Sequence, residues 1–151
     1  MKTILRNILA VILGLAAGQI VNLALIIAGP HVIPPPAGVD MANVQSLRAS
    51  MHLLGPQHFV FPFLAHALGT LAGALVGFLA AASHRSCFAY LIGSLSLAGG
   101  IGAAFLFPAP TWFLILDLVV AYLPMAWIGI QLGRHIVPTS AVRHGALQDK
   151  T

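Results

Sequence analysis

Residues 59–82 read FVFPFLAHALGTLAGALVGFLAAA, a stretch with no Lys, Arg, Asp or Glu. About 20 apolar residues suffice for a helix to cross some 30 Å of hydrocarbon. In lipid every backbone N–H and C=O must be satisfied within the spanning structure, which leaves helices and closed barrels. Barrel strands alternate apolar and polar residues, and this stretch does not, so it reads as a transmembrane helix. Two further features mark it. Gly69, Gly73 and Gly77 recur every four residues, and His66 lies three residues before Gly69, on the same stripe.

Three other stretches share this character: residues 8–28, after Lys2 and Arg6; residues 88–107, ended by Pro108 and Pro110; and residues 112–136, which close on Arg134 and His135. The fold expected is an all-α integral membrane protein, a four-transmembrane-helix bundle forming one membrane domain over residues 1–137. An outer loop at 29–58 and a short cytoplasmic tail at 138–151 complete it. The first stretch has the basic start of a signal peptide. Its apolar region is too long, however, and it carries Gln19 and Asn22 with no clean small-x-small cleavage site after them. A retained helix is expected.

Composition agrees. Of 151 residues, 59% are hydrophobic and only 7% charged, against about a quarter charged in soluble domains. A soluble enzyme, a disordered tail and a nucleic-acid-binding domain are excluded. The net charge of +4 reflects scarce acids, three in all and every one an Asp, rather than a lysine-rich patch. Cys87 stands alone, so no intramolecular disulfide, CxxC pair or thiolate zinc site can form; it reads as a small filler at a helix start. Phosphate-loop, zincin and hydrolase-elbow motifs are missing, and no cofactor is implied.

Lys and Arg in short loops mark the cytoplasmic side. Lys2, Arg6, Arg85, Arg134, Arg143 and Lys150 fall on one side and only Arg48 on the other. Both termini are therefore expected in the cytoplasm, and composition suggests a bacterial inner membrane. Trp112 and Phe113 fall where an interfacial aromatic belt would lie.

Burial does not drive helix association in a bilayer, whereas close approach over small residues does. Gly14 and Gly18 match the stripe of the second span, Gly93, Gly99, Gly100 and Gly102 thin the third, and Gly129 and Gly133 do so in the fourth. Such stripes favour a compact bundle and leave room for a homo-oligomer or a larger membrane complex. Pro124 should kink the fourth helix by removing the bond to the Val120 carbonyl.

The outer loop opens on Pro30 and the stiff run Pro34–Pro36. From Asp40, a candidate N-cap, the segment DMANVQSLRASMHLL places Met41, Val44, Leu47, Met51 and Leu54 on one face. An external amphipathic helix is expected here, on the membrane surface or over the mouth of the bundle.

Ionisable side chains inside a span are costly and mark functional candidates. His66 and Asp117 are the two firm cases, at similar depth in the second and fourth spans, and Asp117 is the one acid within any span. Asn22 continues the Gly14–Gly18 stripe, and Gln19 lies one turn deeper. Tyr122, five residues beyond Asp117, is expected on a different face and deeper. A ligand-binding or proton-relay cluster of His66, Asp117, Asn22, Gln19 and Tyr122 follows. His31, His52 and His58, with Met41 and Met51, carry ligand types suited to copper or zinc. Their spacings of 21 and 6 fit no compact motif, so no metal site is assigned.

A structural pair, a binding pocket and a proton path are the roles open to the polar set. With no nucleophile beside it, the chain reads as a non-enzymatic membrane protein, an accessory subunit or a small-molecule- or lipid-binding bundle with an outward-facing polar pocket. A small oligomeric transporter or channel moving protons or cations through His66 and Asp117 is the first alternative, and a membrane enzyme acting on a lipid the second. The bilayer is the expected partner, and nucleic acid is not.

Overall fold

The computed structural model describes residues 1–41 and 43–137; the segment 138–151, read above as a tail, lies outside the described residues. Among the described residues the chain is helical throughout, with no strand: α1 (Lys2–Val32), α2 (Val44–Ser50), α3 (Val60–Ala80), α4 (Arg85–Leu106), α5 (Thr111–Val120) and α6 (Leu123–Ile136). Single 3₁₀ turns at Met51–Leu53 and Pro56–Phe59 link α2 to α3. Four helical stretches are long and apolar enough to cross a membrane: Lys2–Val32, Pro56–Ala80, Arg85–Leu106 and Thr111–Ile136. They run up, down, up, down. α3 is the central helix, packed against α1, α4 and α6, while α1 touches only α3 and α4 to any extent.

Three boundaries differ from the sequence reading. α1 runs four residues beyond the expected end at Ala28, with Pro30 inside it. Within this extension Gly29 is buried against the Phe61 side chain, which a Cβ would meet at 2.9 Å. The fourth span is two helices rather than one kinked one. Ala121 still donates to the Asp117 carbonyl at 2.9 Å. Tyr122 then leaves helical geometry at φ −117°, ψ −84°, and α6 restarts with Pro124 in its first turn, where a missing N–H is harmless. The helix in the 29–58 loop, α2, has seven residues and is shorter than the amphipathic helix expected there. Its N-cap is Asn43, whose side chain accepts from the Ser46 N–H at 2.9 Å, and not Asp40. Asp40 instead donates its backbone N–H to the Ser46 hydroxyl at 3.1 Å. Met51 is buried with Phe59 and Phe113, and Leu47 and Leu54 pack on this cluster. Val44 remains exposed. Cys87 is exposed and fills no gap.

α1 and α3 meet backbone to backbone. A Cβ on Gly14 would lie 2.7 Å from the Gly73 carbonyl oxygen, and one on Gly73 would lie 2.8 Å from that of Gly14. Gly18 and Gly69 repeat the relation one turn on, at 2.8 and 2.9 Å. The α3–α6 contact is built similarly, with Gly129 against the Leu71 carbonyl and Gly133 under the Phe78 ring. Gly99 and Gly102 differ: a Cβ on either would meet nothing within 4 Å.

Asn7, which looks like a flanking polar residue in sequence, is buried at the start of this seam. Its amide donates to the Ser83 hydroxyl at 3.0 Å, and its carbonyl accepts from the Ala82 N–H at 2.8 Å. Arg6 adds a bond from Nε to the Ala80 carbonyl at 3.0 Å. Together they satisfy polar groups at the end of α3 and in the turn after it, where the chain passes through His84 at φ 48°.

Two stability measurements follow, by thermal or denaturant unfolding in detergent micelles. Gly73→Ala forces backbone apart and should cost about 1–3 kcal/mol, whereas Gly102→Ala should stay within about 0.5 kcal/mol of wild type; equal effects would mean the seam is not close-packed. Asn7→Ala strands the amides of the α3–α4 turn and should cost about 1–3 kcal/mol.

Candidate functional site

Asp117 lies on α5 with 4% of its surface exposed. A carboxylate this buried needs partners to offset lost hydration. α3 supplies the first: His66 Nδ1 lies 2.9 Å from each carboxyl oxygen. The second comes from the chain break. On an uninterrupted helix residues 117 and 122 would point about 140° apart. Because α5 ends at Val120, Tyr122 turns back, and its hydroxyl donates to Asp117 Oδ2 at 3.1 Å. This corrects the expectation that Tyr122 sits on a separate face. The His66 and Tyr122 rings also stack, at 5.7 Å between centroids and 29° between planes. Gly100 of α4 makes room for them, since a Cβ there would overlap the Tyr122 phenol.

The result is a three-residue unit joining α3, the end of α5 and the start of α6. Asp117 and Tyr122 are buried, while the His66 side chain keeps 24% of its surface exposed. With Nδ1 committed to Asp117, Nε2 has no hydrogen-bond partner among the described residues.

His66 lines two cavities. One, of about 260 Å³, lies between α1, α3 and α4, with Gln19, Asn22, Thr70 and Ser96 as its other polar side chains besides Tyr122. The other, of about 300 Å³, is mostly apolar and reaches toward the α2 segment past Met51, Phe59 and Phe107, with Asp117 on its wall. Asn22 and Gln19 therefore share a cavity with His66, though no hydrogen bond joins them to the triad. Thr70 and Ser96 escape a reading of the sequence alone. Both carry a positional signal: Thr70 is one turn after His66, and Ser96 is one turn from both Ile92 and Gly100 on the inner face of α4.

A third cavity, of about 490 Å³, lies beneath the polyproline segment and includes His31, Asp40 and His58. The His58 ring lies between the Gly55 and Pro34 carbonyls, with Nδ1 and Nε2 each 3.2 Å from one of them, and whichever nitrogen carries the proton donates. Among the described residues no group of three or more His, Cys, Asp or Glu is placed to hold a metal ion.

No protein-family model matches the chain, and no curated protein or solved structure matches it either.

The Tyr122–Asp117 bond makes a prediction. Tyr122→Phe removes one buried hydrogen bond and should cost about 1–2 kcal/mol. Gly100→Ala displaces the same hydroxyl, so it should cost less when combined with Tyr122→Phe than in wild type. A double-mutant cycle on unfolding free energies reads that coupling; strict additivity would mean the hydroxyl is not held on Asp117.

Proposed function

We propose that this is a non-enzymatic integral membrane protein that binds a small amphipathic molecule or lipid head in the cavity beside His66, alone or as the accessory subunit of a larger complex. The observation carrying this reading is His66 itself. Asp117 holds its Nδ1 and fixes the ring, and its free edge borders a cavity whose other polar groups are amides and hydroxyls. An oriented ring with an uncommitted nitrogen beside a partly polar cavity suits recognition. Among the described residues no hydrogen bond joins the Thr70 or Ser96 hydroxyl of this cavity to His66.

The membrane setting rests on the four span-length helices and on large apolar side chains turned outward along α1, such as Ile8, Ile12, Ile20 and Ile27. Water would not tolerate such a surface, and lipid would. The cations support an orientation with both termini cytoplasmic. Arg6, Arg85 and Arg134 gather at one end of the bundle, on Ala80, Ala81 and Ser86 respectively, and Arg48 stands at the other. A bacterial inner membrane accords with this charge bias.

Native mass spectrometry on protein gently released from its own membrane tests the reading. Wild type should carry a retained small molecule whose occupancy falls in His66→Ala. Bare protein throughout would refute it.

One observation favours a second reading, a proton or cation path in a small oligomer: His66 borders both cavities, and Asp117 borders the outer one. A path of this kind should lose flux in liposomes on Asp117→Asn while folding persists. Full flux in that variant removes it.

A further inference from the structure

The binding cavity has a chemical signature that narrows its occupant. It lies between α1 and α4, and Gln19, Leu95 and Gly99 on its wall are exposed. It therefore opens sideways, between two helices of span length, and not only toward an end of the bundle. Gly99 keeps that side open, because no atom stands within 4 Å of where its Cβ would be. A volume of about 260 Å³ holds roughly eight or nine water-sized groups. That accommodates a polar head and its first carbons, with the remaining chain leaving through the gap along Ile20, Leu23 and Leu95, all exposed apolar side chains.

Charge excludes two classes of head. Phosphate and carboxylate need a cation in a site this poor in water; no Lys or Arg lines any of the three cavities among the described residues, and His66 already faces the Asp117 carboxyl group. Arg6, Arg85 and Arg134 are held at the far end of the bundle by the bonds described above. An anion entering the cleft would also approach buried Asp117 behind His66. An ammonium head fares no better, since no acid lines this cavity and both Asp117 oxygens are already engaged. What remains is neutral and polar. A hydroxyl both donates and accepts, so it pairs with His66 Nε2 whether that nitrogen carries a proton or not, and with the Gln19 and Asn22 amides and the Ser96 hydroxyl.

Building on the binding function proposed above, we infer that the cleft between α1 and α4 takes a neutral lipid whose head is a hydroxyl, entering sideways from the bilayer. The test uses the full chain in phosphatidylcholine nanodiscs and three photoactivatable probes that share one hydrocarbon chain with a diazirine near the head. One ends in a hydroxyl, one in a carboxylate and one in a phosphate.

The alcohol should label peptides containing Gln19–Asn22 and Leu95–Ala103 saturably, and unlabelled alcohol should compete. His66→Ala should weaken labelling by roughly tenfold, the equivalent of one hydrogen bond. Gly99→Leu should weaken it strongly without loss of stability, because Gly99 borders the cleft and a Cβ there meets no atom within 4 Å. This second variant keeps the test decisive where His66→Ala fails to fold.

Labelling by the carboxylate or phosphate probe equal to or stronger than by the alcohol, and blocked by Gly99→Leu, would overturn the hydroxyl class while leaving the binding site standing. Labelling by all three probes that Gly99→Leu does not change would mark ordinary lipid contact and overturn both. No cleft labelling by any probe would overturn the inference, and the bound mass in native spectra would then decide separately whether the site binds something else.

Discussion

Two helix backbones can touch only where nothing projects between them, and the bundle is organised around one such contact. Gly14 and Gly18 of α1 lie against Gly73 and Gly69 of α3 so closely that each would place a methyl group on the other's carbonyl. Between helices of this length and apolarity, such an approach gains dispersion and weak polar contacts that bulkier faces forgo. It also sets the shape of the rest. With α1 drawn tightly onto α3, it meets α4 chiefly through Ile92, whose side chain packs at Gly14 and Gly77. Beyond Ile92, α4 has Ser96, Gly99 and Gly100 where larger residues would close the gap, and the polar cavity is the space they leave.

Asp117 imposes the second constraint. A buried carboxyl group must be hydrogen-bonded or it destabilises the fold. Its partners come from both sides of a helix break: His66 across the α3–α5 contact and Tyr122 from the residue where the helix stops. Pro124 thus acts less as a kink than as a restart. By ending α5 early it lets a side chain from the next turn fold back on the acid. Packing, backbone break and polar cluster are one arrangement, and none of the three could change alone.

How far this can be read from sequence depends on what each feature requires. Four span-length helices follow from hydropathy, which needs no knowledge of neighbours. His66 and Asp117 are recognisable as a pair because both are ionisable, both lie within spans and their depths match in helices of alternating direction. Tyr122 is recognisable as a candidate, but its position is not, since its contact depends on how the chain relaxes around Pro124, a tertiary outcome. Asn7 gives no signal because an Asn beside Lys2 and Arg6 looks solvated; only the position of the α3–α4 turn reveals that it is buried. Asp40 and Asn43 are comparable caps by residue type, and packing of Leu47, Met51 and Leu54 onto Phe59 and Phe113 accords with the later start. Pro30 looks like a terminator, yet α1 continues through it, with Gly29 packed against Phe61.

The clamp made by Asn7 bears on the order of assembly. The N–H of Ala82 and the hydroxyl of Ser83 receive their partner from a residue some 75 positions earlier in the chain. A hairpin of α3 and α4 formed by itself would leave that corner incomplete, with backbone amides facing whatever medium surrounds them. The first helix made is therefore the one that finishes the turn between the later two. Loop closures of this length are slow relative to local contacts, so docking of α1 should be the event that converts a loosely joined set of helices into a single cooperative unit.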